Sequence, residues 1–172
     1  MTTYRRFVQL QRGILPPRLG EIPEGGVCIS AFVVISRRGD SKSVLMGKIN
    51  KSAPWDHIGA LDPGRVERHS KGWMLPSSHL IFGESPQDAG VRILREQLGV
   101  EEQRLEAPQV FSEVYGALNH WDLEFVFLGE RNDVPNHKAW NELKFIDLTE
   151  TRKEEIARSH EDILVHIGKW QH

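Results

Sequence analysis

The chain has 172 residues, 39% hydrophobic and 27% charged, with a formal net charge of −2. That length suits one compact domain with a real core and is short for two. No apolar run approaches the roughly 18 residues of a membrane span, and the near-neutral charge gives no electrostatic reason to expect nucleic acid or a membrane surface as partner.

Residues 1–26 read as an N-terminal extension, with Pro16-Pro17 and Gly25-Gly26 and no clear periodicity, ahead of a single domain over 27–172. The opening Met-Thr-Thr-Tyr-Arg-Arg-Phe lacks the apolar core of a secretory signal. Residues 27–35 predict a buried strand that contains the only cysteine, Cys28. One cysteine forms no internal disulfide, which fits a reducing cytoplasm, and its apolar setting predicts an inert thiol. Residues 37–42 form a polar turn and 43–49 a second strand. From 50 to 71 runs a long polar connection of the kind that is usually functional or mobile. It carries Trp55, the tryptophan best placed to stack on a nucleobase.

Residues 86–98 predict a helix. Ser85 is a good N-cap, Pro86 suits the first helical position, Asp88 sits where a capping-box acid would, and Gly99 ends the helix in a left-handed turn. Gly90, Val91, Leu94 and Leu98 share the expected packing stripe, with Arg92, Ile93, Glu96 and Gln97 off it. Positions 93, 96 and 97, spaced i, i+3, i+4, should then form one patch. Residues 109–117 and 121–129 predict a strand pair. In the second, Trp121, Leu123, Phe125 and Phe127 alternate with Asp122, Glu124 and Val126, and Glu113 and Glu124 are expected to face solvent. A strand at 140–148 follows. A closing helix opens at Thr151 with Glu154 as its capping-box acid and places His160 on its apolar face as a hydrogen-bonded core residue.

The stretch from Gly72 to Val100 resembles the Nudix box, G-x5-E-x7-R-E-U-x-E-E-x-G-U with U aliphatic. Glu84, Arg92, Leu94, Glu96, Gly99 and Val100 fit that pattern. Ser78 stands in place of the first glycine, Ile93 in place of the first helix glutamate and Gln97 in place of the last. Trp73-Met-Leu-Pro resembles the W-x-L-P segment that precedes the box. The resemblance implies the Nudix α/β/α sandwich around a mixed sheet. It also implies Mg²⁺ or Mn²⁺ as cofactor, a nucleotide-like small molecule as partner, and a tendency to dimerise.

Carried over residue by residue, Glu96 and Glu84 take catalytic roles and metal ligation, with Glu124 as a further ligand from outside the box. Arg92 and Gln97 take substrate contact, joined by Trp55 on the ground of its place in the 50–71 connection, and Arg92 with Glu84 also forms a loop-to-helix ion pair. Where the family patch has three carboxylates, this one has Glu96 alone, so metal binding should be weak. Two function classes stay open. One is a divergent hydrolase of nucleoside diphosphates linked to another moiety, with activity weakened or lost. The other is a catalytically degenerate nucleotide-binding or interaction module. Restoring carboxylates at 93 and 97 should cost little stability if both lie off the packing stripe.

Overall fold

A computed structural model describes residues 15–171; most of the N-terminal extension, 1–14, lies outside it. The strands are β1 (Val27–Arg37), β2 (Asp40–Ile49), β3 (Ser77–His79), β4 (Gln109–Tyr115), β5 (His120–Arg131) and β6 (Trp140–Asp147). The helices are α1 (Trp55–Ile58), α2 (Pro63–His69), α3 (Pro86–Ile93) and α4 (His160–His166). Residues Leu94–Leu98 continue α3 as a π turn. None of the described helices is long and apolar enough to cross a membrane.

The six strands form one mixed sheet in the order β4-β5-β1-β2-β6, with β3 added on β1. β1 is central because its residues are apolar on both faces. It runs parallel to β5 from Val27↔Trp121 to Arg37↔Arg131, while its other edge is shared between β3 near residues 30–32 and β2 near Ser36. A glycine is required at Gly47, where an added Cβ would lie 2.3 Å from the Trp140 ring.

The sheet separates two cores. Ala31, Val33, Ile35, Leu45 and Phe127 pack on one face against Ala89, Ile93, Leu94 and Leu98 of α3 and its π turn. Phe32, Val34, Val44, Met46 and Val126 pack on the other against Ile163 and Leu164 of α4.

Two expected elements differ. The 50–71 connection is folded: α1 and α2 bury Trp55, Leu61 and Val66 in a third apolar cluster with Ile49, Met74 and Trp140. Asp62 caps α2, its carboxylate accepting from the Arg65 N–H at 3.0 Å, and Pro63 opens the first turn. The closing helix starts at His160 rather than Thr151. The Thr151 region gives only a 3₁₀ turn at Lys153–Glu155, and Arg158 (φ 63°) and Ser159 (φ 56°) are both left-handed, a conformation that interrupts any right-handed helix.

Candidate functional site

The box folds from β3 into α3 as its capping residues dictate. The Ser85 hydroxyl accepts from the Asp88 N–H at 3.1 Å, and Gly99 closes the helix at φ 65°. Arg92 lies beneath the loop that Glu84 caps. Its Nε donates to Glu84 Oε1 at 2.7 Å and its Nη2 to Glu84 Oε2 at 2.9 Å and to the His79 carbonyl at 3.0 Å. Glu84 Oε2 also accepts from the Ile81 N–H at 2.9 Å. With the pair only 7% and 11% exposed, both carboxylate oxygens are already engaged. Glu84 and Arg92 thus form an internal brace for the loop.

Ile93 and Gln97 both correct the sequence reading. The buried face of the helix runs through Ala89, Gly90, Ile93, Leu94, Gln97 and Leu98, while Val91 is 50% exposed. The i, i+4 rows 89-93-97 and 90-94-98 together make the packing face, one residue earlier than expected. The π turn advances less per residue than an α turn and returns position 97 over 93. Ile93 is therefore a core residue.

The Gln97 side chain is fully buried and spent on backbone. Its amide nitrogen donates to the carbonyls of Ile58 at 2.7 Å and Ser77 at 2.8 Å, and its oxygen accepts from the Ser77 N–H at 3.1 Å. In addition, Trp140 Nε1 donates to the Gln97 carbonyl at 2.7 Å. An amide closed on three backbone groups is unavailable to a substrate.

Glu96 is the accessible carboxylate of the patch, its side chain 30% exposed, with Arg92 Nη1 at 3.5 Å from one oxygen and Arg95 Nη2 at 3.7 Å from the other. It lines a cleft of about 350 Å³ with His57, Ile58, His137 and Lys138. Mg²⁺ needs several oxygen ligands in octahedral array. With Ile93 in the core, Gln97 closed on backbone and Glu84 held by Arg92, the box residues do not fit that ion. Trp55 is likewise unable to stack on a ligand: it is 1% exposed, edge-on to Trp140 at 4.9 Å, with its indole N–H donated to the Asn50 carbonyl.

Glu124 does not join Glu84 and Glu96. It shares the β5 parity of Val126 and faces α4, on the opposite side of the sheet from the box helix. Rather than facing solvent it is 7% exposed, and burial, then Asp122 and Glu113, push its carboxyl up to about 8. Glu113, Glu124 and His166 offer ligand atoms within 4.8 Å of one another, the donor types that divalent transition ions accept.

This group borders a small cavity of about 40 Å³ between β5, β3 and α4. In it the Ser30 hydroxyl donates to Asp122 at 2.8 Å, and burial raises the Asp122 carboxyl despite that bond. Arg65 and Arg158 form part of the wall. His160 is the core histidine expected, its Nδ1 accepting from the Leu75 N–H at 3.0 Å. His79, whose ring bonds the Pro17 carbonyl, is pushed down to about 4 by burial. Buried Cys28 is pushed up to about 12, as suits an inert thiol.

Arg65, Arg158, Asp122 and His166 carried no recognisable motif in the sequence. For Arg65 a signal existed in Asp62-Pro63, an N-cap followed by a first-turn proline.

No family model matches this sequence and no curated protein matches it. Solved structures do. A MutT protein from Methanosarcina mazei Go1 superposes with a TM-score of 0.59 at 14% identity, covering 87% of this chain and 96% of that one. A Nudix hydrolase from Nitrosomonas europaea gives 0.55 at 15% identity, covering 84% and 91%. A bifunctional NMN adenylyltransferase/ADP-ribose pyrophosphatase from Francisella tularensis, complexed with AMP and a manganese ion, gives 0.54 at 16% identity, covering 87% of this chain but 43% of that one. The chain has the Nudix fold.

Proposed function

We propose that this protein is a Nudix-fold binding module for a nucleotide-like small molecule, and that its box no longer supports metal-assisted hydrolysis. One observation carries the reading: the Gln97 amide, at a position where the box has a glutamate, is closed on the backbone of Ile58 and Ser77. A metal ion would need acceptor oxygens there, whereas the amide nitrogen is a donor. The box position that elsewhere recruits an ion here ties α1 to β3 and holds the cleft wall in place. The cleft beside Glu96 is of the size that ligand pockets commonly have. The Francisella tularensis protein of the same fold is described with AMP bound, which supports a nucleotide-like ligand for this one.

The test is a turnover screen with Mg²⁺ and Mn²⁺ over ADP-ribose, dinucleoside polyphosphates, NADH and nucleoside di- and triphosphates, run beside calorimetric binding of the same compounds. Binding without divalent-dependent turnover is expected, with Mg²⁺ binding to the free protein at millimolar concentrations or weaker, on the order set by one ligand charge. Turnover that disappears in Glu96→Gln would establish instead a divergent hydrolase with a reduced metal site.

A further inference from the structure

Buried polar atoms are almost always hydrogen-bonded, yet the cavity between the sheet and α4 collects several that are not. Arg65 Nη1, Arg158 Nε and Glu124 Oε2 are all buried without a hydrogen-bond partner among the described residues, His166 Nδ1 lying 3.8 Å from Glu124 Oε2. Arg65 is 6% exposed, and no nitrogen of its guanidinium makes a hydrogen bond or an ion pair among those residues. Arg158 has one weak contact, from Nη1 to Ser77 Oγ at 3.4 Å. The two cations face the same cavity, where burial and the nearby Arg65 charge both disfavour the charged form of Arg158. Arg158 is delivered there by the left-handed pair Arg158-Ser159, a backbone that non-glycine residues seldom adopt.

The carboxylates of Asp122, Glu113, Glu124 and Asp162 line the same cavity. None lies within ion-pairing distance of either arginine among the described residues; Asp122 is instead held by Ser30. Among the described residues, Arg65 and Arg158 therefore bring N–H groups without acceptors to a cavity that carboxylates also line. A volume of about 40 Å³ holds roughly three water-sized groups, enough for one small tetrahedral anion and too little for a nucleobase.

We propose that this cavity is a metal-independent site for a phosphate that keeps a hydroxyl, either inorganic phosphate or a monoester in its protonated form. Its anionic oxygens are taken by Arg65 and Arg158, and its O–H donates to Asp122. Guanidinium groups match phosphate geometry with two parallel donors each. The hydroxyl is what reconciles the anion with a carboxylate wall. The site lies on the opposite face of the sheet from the box, so it stands or falls apart from the reading of the Glu96 cleft.

The experiment is titration calorimetry of the full chain, with EDTA present and ionic strength held constant, using inorganic phosphate, AMP, ADP-ribose and sulfate. Saturable binding of phosphate is expected. AMP that competes with phosphate and loses affinity in Arg65→Met would identify a monoester as the source, and AMP that leaves phosphate binding unchanged would identify the free ion. ADP-ribose, which has no terminal monoester, should not compete with phosphate. Sulfate has no O–H at neutral pH and should bind about tenfold more weakly or worse, the loss of one charge-assisted bond.

Arg65→Met and Arg158→Met should each weaken phosphate binding by a similar factor while raising Tm in phosphate-free buffer, because each removes a guanidinium nitrogen buried without a hydrogen-bond partner among the described residues. A purely structural arginine would lower Tm instead. Arg65→Lys, which keeps the charge, should retain part of the affinity. No phosphate binding, equal binding of sulfate, or binding unchanged in both Met variants would overturn the proposal.

Discussion

Ile93 decides what an attempt to restore the box would do. Its side chain is fully buried against Ala31, Val33 and Leu45, so Ile93→Glu places a carboxylate where no partner exists. Burial of an unpaired charge is among the few changes that cost a domain roughly 4 kcal/mol or more. Gln97→Glu removes both amide N–H donors and sets a carboxylate against the carbonyls of Ile58 and Ser77. The double variant Ile93→Glu/Gln97→Glu should therefore unfold in urea far below the parent midpoint and gain no hydrolytic activity, opposite to the modest cost expected from spacing alone. A folded variant with parental stability would mean that the helix face had rotated. Arg92→Met gives the converse check. It strands Glu84, 11% exposed, and should cost roughly 3 kcal/mol, while Glu84→Gln/Arg92→Met should recover part of that loss.

At the scale of elements, Asp62→Ala tests α2. The variant loses the bond to the Arg65 N–H and with it about 1 kcal/mol of stability, measurable as a lower urea midpoint. Because Arg65 sits in that first turn, phosphate binding in the α4-side cavity should weaken in the same variant.

The elements differ in how far the sequence disclosed them. β1, β2, β5, β6 and α3 were legible because each couples a strong apolar pattern to clear turn or cap residues. The α1–α2 segment read as an open loop because its apolar residues, Trp55, Leu61 and Val66, are too far apart to show a period. All three are buried in one cluster with Ile49, Met74 and Trp140, which the fold brings together from distant parts of the chain. The start of α4 is not where the local pattern puts it: Thr151-x-x-Glu154 satisfies a capping pattern, while Arg158 and Ser159 are left-handed and the helix begins only after them. The box was legible as a motif, but which of its side chains point inward was not. For Gln97 that depends on the π turn, which no residue type announces, whereas Ile93 precedes that turn. The arginine pair was invisible for a related reason: residues 65 and 158 meet only through the fold.

For the whole molecule, buried histidines on the α4 side predict how stability responds to acid. His79 is held at about 4 by burial, against an ordinary value of 6.5. His160 is held well below that value for the same reason, with Arg158 adding a like charge. Both are neutral in the folded state near neutral pH, and His160 uses its unprotonated Nδ1 to accept from the Leu75 N–H. The sign follows from proton counting. Above about pH 6.5 neither state binds a proton at these sites and stability is full. As pH falls from 6.5 towards 4, the unfolded chain takes up protons that the folded chain refuses, so stability is lost. Each fully neutral histidine contributes a slope of up to about 1.4 kcal/mol per pH unit across that window. The urea midpoint should rise a little from pH 8 to 7, as the folded chain protonates Glu124 at about 8, and then drop towards pH 5, where the two histidines together outweigh that one carboxyl. His160→Gln, which keeps an acceptor for Leu75, should lower the midpoint at pH 7 yet reduce the slope by about one proton. His79→Asn should reduce it by a similar amount. A parent midpoint that stays level from pH 7 to 5 would mean that these rings titrate freely, and that the face between the sheet and α4 opens to water.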